Sequence, residues 1–231
     1  MHPQLPLPIA QETGPSLSNF SRGDNGLVVD IIAGLFGSNN NRQVYVWGTA
    51  QSGKTHLLAA AHQQWLAAGR RSFYVSLKEE TLAAGLLEAL DGYDLIALDD
   101  VDSVASNSDW ERALFNLINF TREGQGKILF SAMSAPSADV WGLADLVSRL
   151  SWGPVLKLEA LNENDIRTAV LSSAEQRGMK VDAEAVDFLL KRYSRDLNSL
   201  LQAMDVLDKE SLSAGRERIT IPFLKRCFVF D

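Results

Sequence analysis

A short glycine-containing segment gives the first indication of chemistry in this sequence. Residues 48–55, Gly-Thr-Ala-Gln-Ser-Gly-Lys-Thr, have the spacing of a phosphate-binding loop and lie between an apolar strand pattern and a helix pattern. Its glycines let backbone N–H groups turn toward phosphate oxygens, while Lys54 supplies a positive charge and Thr55 a hydroxyl for Mg²⁺. A chance match in a chain of this length occurs in about one case in a hundred. The segment therefore predicts nucleotide binding by Gly48, Thr49, Ala50, Gln51, Ser52, Gly53, Lys54, Thr55 and the adjoining His56.

Two carboxylates directly follow a second apolar strand pattern. Asp99 and Asp100 come after residues 95–98, which are apolar on both faces. Such a strand end lies beside the phosphate loop in this class of fold, where Asp99 can orient a metal ion and Asp100 an attacking water. Alone the pattern is weak, because many strands end in an aspartate that caps a helix or forms a turn. Together with the loop it predicts an NTPase-type site in which Thr55 and Asp99 hold Mg²⁺ through the nucleotide.

Arg149 is open to two interpretations. It lies in the segment Leu-Val-Ser-Arg-Leu-Ser-Trp-Gly over residues 146–153. An arginine near the end of a helix is stabilised by the helix dipole and needs no further role. Alternatively, its guanidinium reaches a nucleotide on a neighbouring subunit and acts as a catalytic group there. The residues alone leave both interpretations open.

The first residues predict an extended tail. Four of the seven prolines lie within residues 1–16, which therefore form neither a helix nor an inner strand. Most proline-rich termini are disordered. The alternative is that residues 4–9 form a preorganised peptide that binds a hydrophobic pocket. The candidate binding residues are Gln4, Leu5, Pro6, Leu7, Pro8 and Ile9.

The elements that must position these residues follow an alternating pattern. Short apolar runs predict strands at 44–47, 73–77, 95–98, 128–130 and 155–158, separated by helices at 54–68, 79–90 and 108–123. Ser108 is the predicted N-cap of the third helix. The alternation predicts an α/β fold with a five-stranded parallel sheet between two layers of helices.

Beyond residue 158 the sequence predicts helices only. Helical periodicity covers 162–177, 182–193 and 196–214, and Pro222 opens a last short helix. These segments predict a small helical lid. The domains are accordingly predicted as the tail over 1–16, the nucleotide-binding α/β domain over 17–160 and the lid over 161–231.

Composition excludes several classes of protein. The chain has 231 residues, 46% of them hydrophobic, and a net charge of −7, so it can form a full core but lacks the basic surface of an autonomous DNA-binding protein. No stretch approaches the roughly 18 apolar residues of a membrane span, and no signal-peptide pattern opens the sequence. The single cysteine, Cys227, excludes an internal disulfide. We therefore expect a soluble, cytoplasmic protein.

The phosphate loop, the Asp99–Asp100 strand end and the Ser-Arg-Leu-x-Trp-Gly segment together resemble the AAA+ domain of the bacterial replication initiator DnaA. The resemblance covers residues 17–231, and in that family the segment matching Phe20, Gly23 and Asn25 contacts adenine, so it implies cofactor-binding roles for Phe20 and Asn25. We expect the chain to lack the initiator's long N-terminal region and its C-terminal helix-turn-helix. With the 4–9 tail, which is similar to a sliding-clamp-binding peptide, the chain is identified as a member of the Hda family of DnaA-related regulatory inactivators.

This resemblance implies a specific function. Arg149 matches the family's arginine finger, which acts in trans on ATP bound to DnaA, and the tail binds the sliding clamp loaded on DNA. The outcome is the inactive ADP form of DnaA and inhibition of DNA replication initiation. The resemblance leaves the oligomeric state open, with a homo-oligomer as one option.

Two residues depart from the family pattern. Met133 stands where an aspartate senses the γ-phosphate, and Asn198 stands where a second sensor arginine is expected. Both departures imply that the chain's own ATP hydrolysis is weak or absent and that ADP, rather than ATP, occupies the loop. They count against the first alternative, an AAA+ ATPase that acts as a helicase loader or DNA remodeller. A stand-alone phosphotransferase is disfavoured by the helical lid.

Overall fold

A computed structural model of the chain describes residues 14–37, 41–137, 139–193, 196–215 and 218–229. The strands are β1 (Gln43–Trp47), β2 (Ser72–Ser76), β3 (Leu95–Asp99), β4 (Lys127–Ala132), β5 (Val155–Lys157), β6 (Lys180–Val181) and β7 (Arg218–Ile219). The α-helices are α1 (Gly26–Phe36), α2 (Lys54–Ala67), α3 (Ser108–Glu123), α4 (Ala144–Leu150), α5 (Glu163–Gln176), α6 (Ala183–Arg192), α7 (Leu197–Ser213) and α8 (Ile221–Cys227). Short 3-10 helices occupy Gly23–Asn25, Ala84–Ala89 and Val101–Val104.

The first five strands form one parallel sheet in the order β2–β3–β4–β1–β5. All residues of β3 are buried, because helices cover both faces of the sheet. The carboxyl ends of β3 and β4 are neighbours, since Leu98 pairs with Phe130. The predicted α/β fold with a five-stranded parallel sheet and a C-terminal helical lid is confirmed.

The described residues form two compact units. One contains the described residues of 14–20, 27–47 and 54–157, and the other those of 21–26, 48–53 and 158–229. The first is built around the sheet, where Tyr45 and Phe130 are completely buried. The second is built around the helices after β5, where Leu189, Leu200 and Leu207 are completely buried. Each buried side chain of this size stabilises its unit by about 1.5–3 kcal/mol.

Three long polar side chains near the amino ends of β1 and β4 hold the ends of three helices. The Lys127 ammonium donates to the Leu35 and Gly37 carbonyls at the end of α1. Arg42 donates to carbonyls at the end of α3, and Gln43 donates to carbonyls at the end of α4. Carbonyls in the last turn of a helix have no intrahelical partner, so these contacts attach the three helices to the sheet.

The helix predicted at 79–90 is wrong. Only the 3-10 helix Ala84–Ala89 forms there, because Ala83 has extended dihedral angles (φ −117°, ψ 148°) that end any helix before it. Ser108 is not the N-cap of α3; the Asn107 side chain accepts hydrogen bonds from the N–H groups of Asp109 and Trp110. The expectation of no strands beyond 158 is also wrong, since β6 and β7 pair in parallel.

Candidate functional site

The loop between β1 and α2 is shaped by its glycines. Gly53 has a φ of 98°, which favours glycine, and Gln51 has a φ of 64°. A Cβ atom on Gly48 would clash with the Leu158 carbonyl oxygen, so no larger residue fits. Helix α2 begins at Lys54 directly after this loop. A glycine-containing loop that leads into the first turn of a helix is an arrangement that binds phosphate in other proteins.

Ser52 has a buried hydroxyl in this loop. Only 2% of the residue is exposed, and its Oγ has no hydrogen-bond partner among the described residues. A buried polar atom without a partner costs about 1–3 kcal/mol. A phosphate oxygen accepts hydrogen bonds from hydroxyl and N–H groups, so the residues of the loop fit a nucleotide's phosphates.

Lys54 places a positive charge at the start of α2. Although it is an ionisable residue, only 6% of it is exposed, and burial lowers the pKa of its ammonium group. The carboxylates of Asp100 and Asp99 oppose this effect. The Nζ atom lies 3.7 Å from the Met133 sulfur, which is a weak acceptor. A phosphate group would stabilise the charged form much better than this thioether does.

Asp99 is fixed at the end of β3. It is 1% exposed, accepts a hydrogen bond from the Ser131 hydroxyl on β4 and lies 3.0 Å from the Tyr74 hydroxyl. Its negative charge adds to burial in raising the pKa of Tyr74. Ser131 also accepts the N–H of Asp100 at 2.9 Å, so this one hydroxyl fixes both carboxylate-bearing residues.

The Asp100 carboxylate already has partners. Its Oδ1 lies 2.9 Å from the Lys78 ammonium, and its Oδ2 accepts a hydrogen bond from the Ser76 hydroxyl at 3.3 Å. The hydrogen bond that the Lys78 ammonium donates to Asp100 raises the pKa of Lys78. Asp100 also has left-handed dihedral angles (φ 55°, ψ 45°), an uncommon conformation for a non-glycine residue. Its role in orienting a water molecule stays a prediction.

Met133 and Asn198 are the two residues that differ from the pattern expected from the resemblance to DnaA. The Met133 N–H donates to Asp102 at 2.8 Å, so its backbone is fixed while 44% of the residue is exposed. Asn198 is exposed in the first turn of α7. Neither side chain carries a charge, and the effect of these residues on ATP hydrolysis stays a prediction.

His56 holds a turn formed by residues 14–20. Its Nε2 lies 3.1 Å from the Ser16 carbonyl and 3.0 Å from Asn19 Oδ1. Because a carbonyl oxygen only accepts, Nε2 carries the proton, and burial lowers the pKa of the ring. Phe20 packs against the same ring, with 5.5 Å between the centroids. The geometry brings Phe20 and His56 together, and their contact with a nucleotide stays a prediction.

Asn25 is 1% exposed and forms a two-point contact with one backbone position. Its Nδ2 donates to the Glu159 carbonyl at 3.0 Å, and its Oδ1 accepts the Glu159 N–H at 2.8 Å. Sequence reasoning missed this role, because Asn25 and Glu159 are 134 residues apart. The side-chain amide fixes the chain here, and its predicted contact with adenine stays a prediction.

Arg149 lies in the last turn of α4 and is half-buried. Its guanidinium carbon is 3.9 Å from the centroid of the Trp152 ring and 5.2 Å from that of Phe115. The guanidinium forms no ion pair within the described part of the chain, and its buried Nε has no hydrogen-bond partner there. Among the described residues, no neighbouring carboxylate neutralises the charge of this guanidinium.

The remaining sequence predictions concern the clamp-binding tail, the ligands of Mg²⁺ and the absence of a membrane span. The predicted clamp-binding residues 4–9 lie outside the described residues.

Among the described residues, no group of three or more His, Cys, Asp or Glu side chains could hold a metal ion. A Mg²⁺ ion would therefore need phosphate oxygens as ligands in addition to Thr55, which is exposed, and Asp99. No helix in the described part of the chain is long and apolar enough to cross a membrane.

The strand order, the glycine-shaped loop and the aspartate at the end of β3 define a P-loop protein of the AAA+ class. The chain is 39% identical over 228 residues to an uncharacterised protein of Haemophilus influenzae, covering 98% of each chain. A family model for the lid domain of Hda matches residues 163–228. The chain belongs to the family of Hda-like, DnaA-related AAA+ proteins.

Solved structures show the same fold. Domain III of the replication initiation protein DnaA from Thermotoga maritima matches with a TM-score of 0.72 and 18% identity, over 92% of this chain and 95% of that one. AMPPCP-bound DnaA from Aquifex aeolicus matches with a TM-score of 0.68 and 22% identity, over 86% of this chain and 66% of that one. At these identities the similarity concerns the fold alone.

Proposed function

We propose that this protein is a negative regulator of replication initiation. It holds a nucleotide, ADP with Mg²⁺, in the 48–55 loop and binds the DNA-loaded sliding clamp through residues 4–9. In that position it stimulates hydrolysis of ATP bound to DnaA, through Arg149 acting in trans. The observation that carries the proposal is the Arg149 guanidinium, which is held in place and has no carboxylate partner among the described residues.

The chemistry follows from the charge of the transferred group. Water attacks the γ-phosphorus of ATP, the bond to the ADP oxygen breaks, and negative charge spreads over the outer phosphate oxygens. A guanidinium next to these oxygens stabilises the transition state more than the ground state. Such arginines contribute roughly 10³–10⁵ in rate, or about 4–7 kcal/mol at 1.36 kcal/mol per decade. An arginine that serves only the helix dipole would contribute about 0.3–1 kcal/mol when exposed and up to about 2 kcal/mol when partly buried.

Nucleotide retention rather than turnover fits the chain's own site. The loop contains the buried Ser52 hydroxyl, which has no partner among the described residues, and Lys54 supplies a buried positive charge at the start of α2. The Lys54 ammonium lies 3.7 Å from the Met133 thioether, which cannot sense or polarise a γ-phosphate. Because AMPPCP-bound DnaA shares the fold, a nucleotide in this loop also agrees with the structural comparison.

The test is stimulated ATP turnover by DnaA in the presence of loaded clamp. Arg149→Ala should lower the stimulation roughly 10³-fold or more. Arg149→Lys should fail nearly as badly, because an ammonium lacks the planar fork of the guanidinium. Arg192→Ala is a matched control, because Arg192 is an exposed arginine in the last turn of α6. Near-normal stimulation by a folded Arg149→Ala protein would contradict the proposal.

A further inference from the structure

The indole ring of Trp152 contacts two guanidinium groups. The guanidinium carbon of Arg149 lies 3.9 Å from the ring centroid, and that of Arg122, from the last turn of α3, lies 3.8 Å from it. At these distances both cations are attracted by the negative face of the ring. We call these three residues the Arg122–Trp152–Arg149 stack.

The backbone under the stack is fixed by β1. Gln43 donates to the carbonyls of Arg149 and Leu150 at 2.8 and 2.9 Å. A Cβ atom on Gly153 would clash with the Gln43 carbonyl, so the turn that carries Trp152 lies directly against the strand. The backbone that carries the indole is therefore held against the sheet.

Aromatic rings orient the Arg149 side chain. Its Nε is buried without a hydrogen-bond partner among the described residues, so no polar contact there fixes the direction of the guanidinium. The contacts that remain are the rings of Trp152 at 3.9 Å and Phe115 at 5.2 Å. Stacking uses the face of a guanidinium and leaves its in-plane N–H donors available for phosphate oxygens.

We propose that Trp152 is a positioning residue that aims Arg149 at the phosphates of the partner's nucleotide, and that Arg122 holds the ring and adds a second positive charge there. The proposal rests on the proposed function, because it needs Arg149 to act in trans. Two cations on one ring, in a chain with a net charge of −7, favour a strongly anionic ligand such as a nucleoside triphosphate. A cleft of about 340 Å³ borders Trp152 and Arg122 and leaves room beside the stack.

The experiment measures stimulated ATP turnover against the concentration of this protein. In Trp152→Leu, we expect a maximal rate roughly 10- to 100-fold lower, because a misplaced guanidinium loses transition-state contacts. The concentration for half-maximal stimulation should stay within about twofold, since the clamp-binding tail is intact. Trp152→Phe should restore most of the rate because it keeps an aromatic face. A purely structural role would instead lower the melting temperature in both variants.

The outcomes separate this proposal from the proposed function. If Arg149→Ala stimulates normally, the proposed function fails and the stack has no catalytic purpose. If Arg149→Ala is inactive while a folded Trp152→Leu reaches the wild-type maximal rate, the positioning role is wrong. Should Trp152→Leu not fold, Arg122→Ala decides, because Arg122 is exposed and its side chain is outside the core. A maximal rate that is severalfold lower in Arg122→Ala than in the wild type supports the proposal, and an unchanged maximal rate in this variant contradicts it.

Discussion

The properties of Lys54 depend both on the sequence motif that contains it and on the residues that surround it in the fold. Its position after Gly53 was enough to predict a phosphate-binding lysine, because the motif is local. Its burial and its contact with the Met133 sulfur depend on β4 and on the residues that follow it. Burial lowers the pKa of the Lys54 ammonium, which means that it destabilises the charged form. A bound anion would stabilise the charged form and raise the pKa again.

We predict that ADP stabilises the protein through Lys54. At a hundredfold excess over Kd, bound ligand adds about 2.7 kcal/mol to the free energy of unfolding. This corresponds to roughly 5–10 °C in the melting temperature for a chain of this size. Lys54→Ala should lose most of that shift, whereas Lys209→Ala, which changes an exposed lysine of α7, should keep it. If ADP leaves the melting temperature unchanged and Lys54→Ala behaves as the wild type, the loop does not hold a nucleotide.

The residues of the site were predictable from sequence only where the signal is local. The 48–55 motif and the Asp99–Asp100 pair were recognised from spacing alone. Ser131, which bonds to both aspartates, and Lys78, which pairs with Asp100, carry no such signal. These partners meet only because β2, β3 and β4 are neighbours in the sheet, and strand order is a property of the whole chain.

At the scale of elements, a buried carboxylate attaches α3 to the segment before α4. Glu111 is 3% exposed and accepts three backbone hydrogen bonds. The donors are the N–H groups of Ser106 and Gly142 at 2.9 Å to Oε1, and that of Leu143 at 2.7 Å to Oε2. A carboxylate suits this place because it only accepts, so each donor finds a lone pair.

We predict that Glu111→Gln destabilises the protein by about 2–3 kcal/mol. The amide has one acceptor instead of two, and its NH₂ group would face the Leu143 N–H, leaving buried donors without a partner. Glu123→Gln on the same helix is the matched control, because Glu123 is exposed and its loss should change stability by less than about 0.5 kcal/mol. Denaturant unfolding measures both free energies. Equal stability of the two variants would mean that the three contacts contribute nothing.

Elements with strong periodicity were predicted well and irregular ones were not. The five sheet strands lie within two residues of their predicted bounds, because short buried runs between turn residues have few alternatives. Helix α1 was not predicted; its sequence contains Gly26 and Gly34 and a nearly continuous apolar run without a clear face. The 79–90 segment has helix-favouring residues, but local backbone geometry at Ala83 overrides that preference.

For the whole molecule, alternation of strands and helices was sufficient to predict the fold, while the proposed function depends on segments far apart in sequence. The sheet order places Asp99 and Ser131 together, yet Arg149 and the tail follow no rule of fold class. Family resemblance, rather than periodicity, suggested the roles proposed for those residues. They therefore need tests on the intact protein.

Residues 4–9 of the tail are the proposed anchor on the sliding clamp. Replacing Gln4, Leu5 and Leu7 by alanine should abolish binding to the sliding clamp, because the leucines supply apolar contact and the glutamine a hydrogen bond. Prolines 6 and 8 restrict the free peptide, so less entropy is lost on binding. The melting temperature should not change, since a tail adds little to the core. Alanines at Gln11, Glu12 and Thr13 provide a matched control that should bind normally. Undiminished clamp binding by a chain that starts at Thr13 would show that the anchor lies elsewhere.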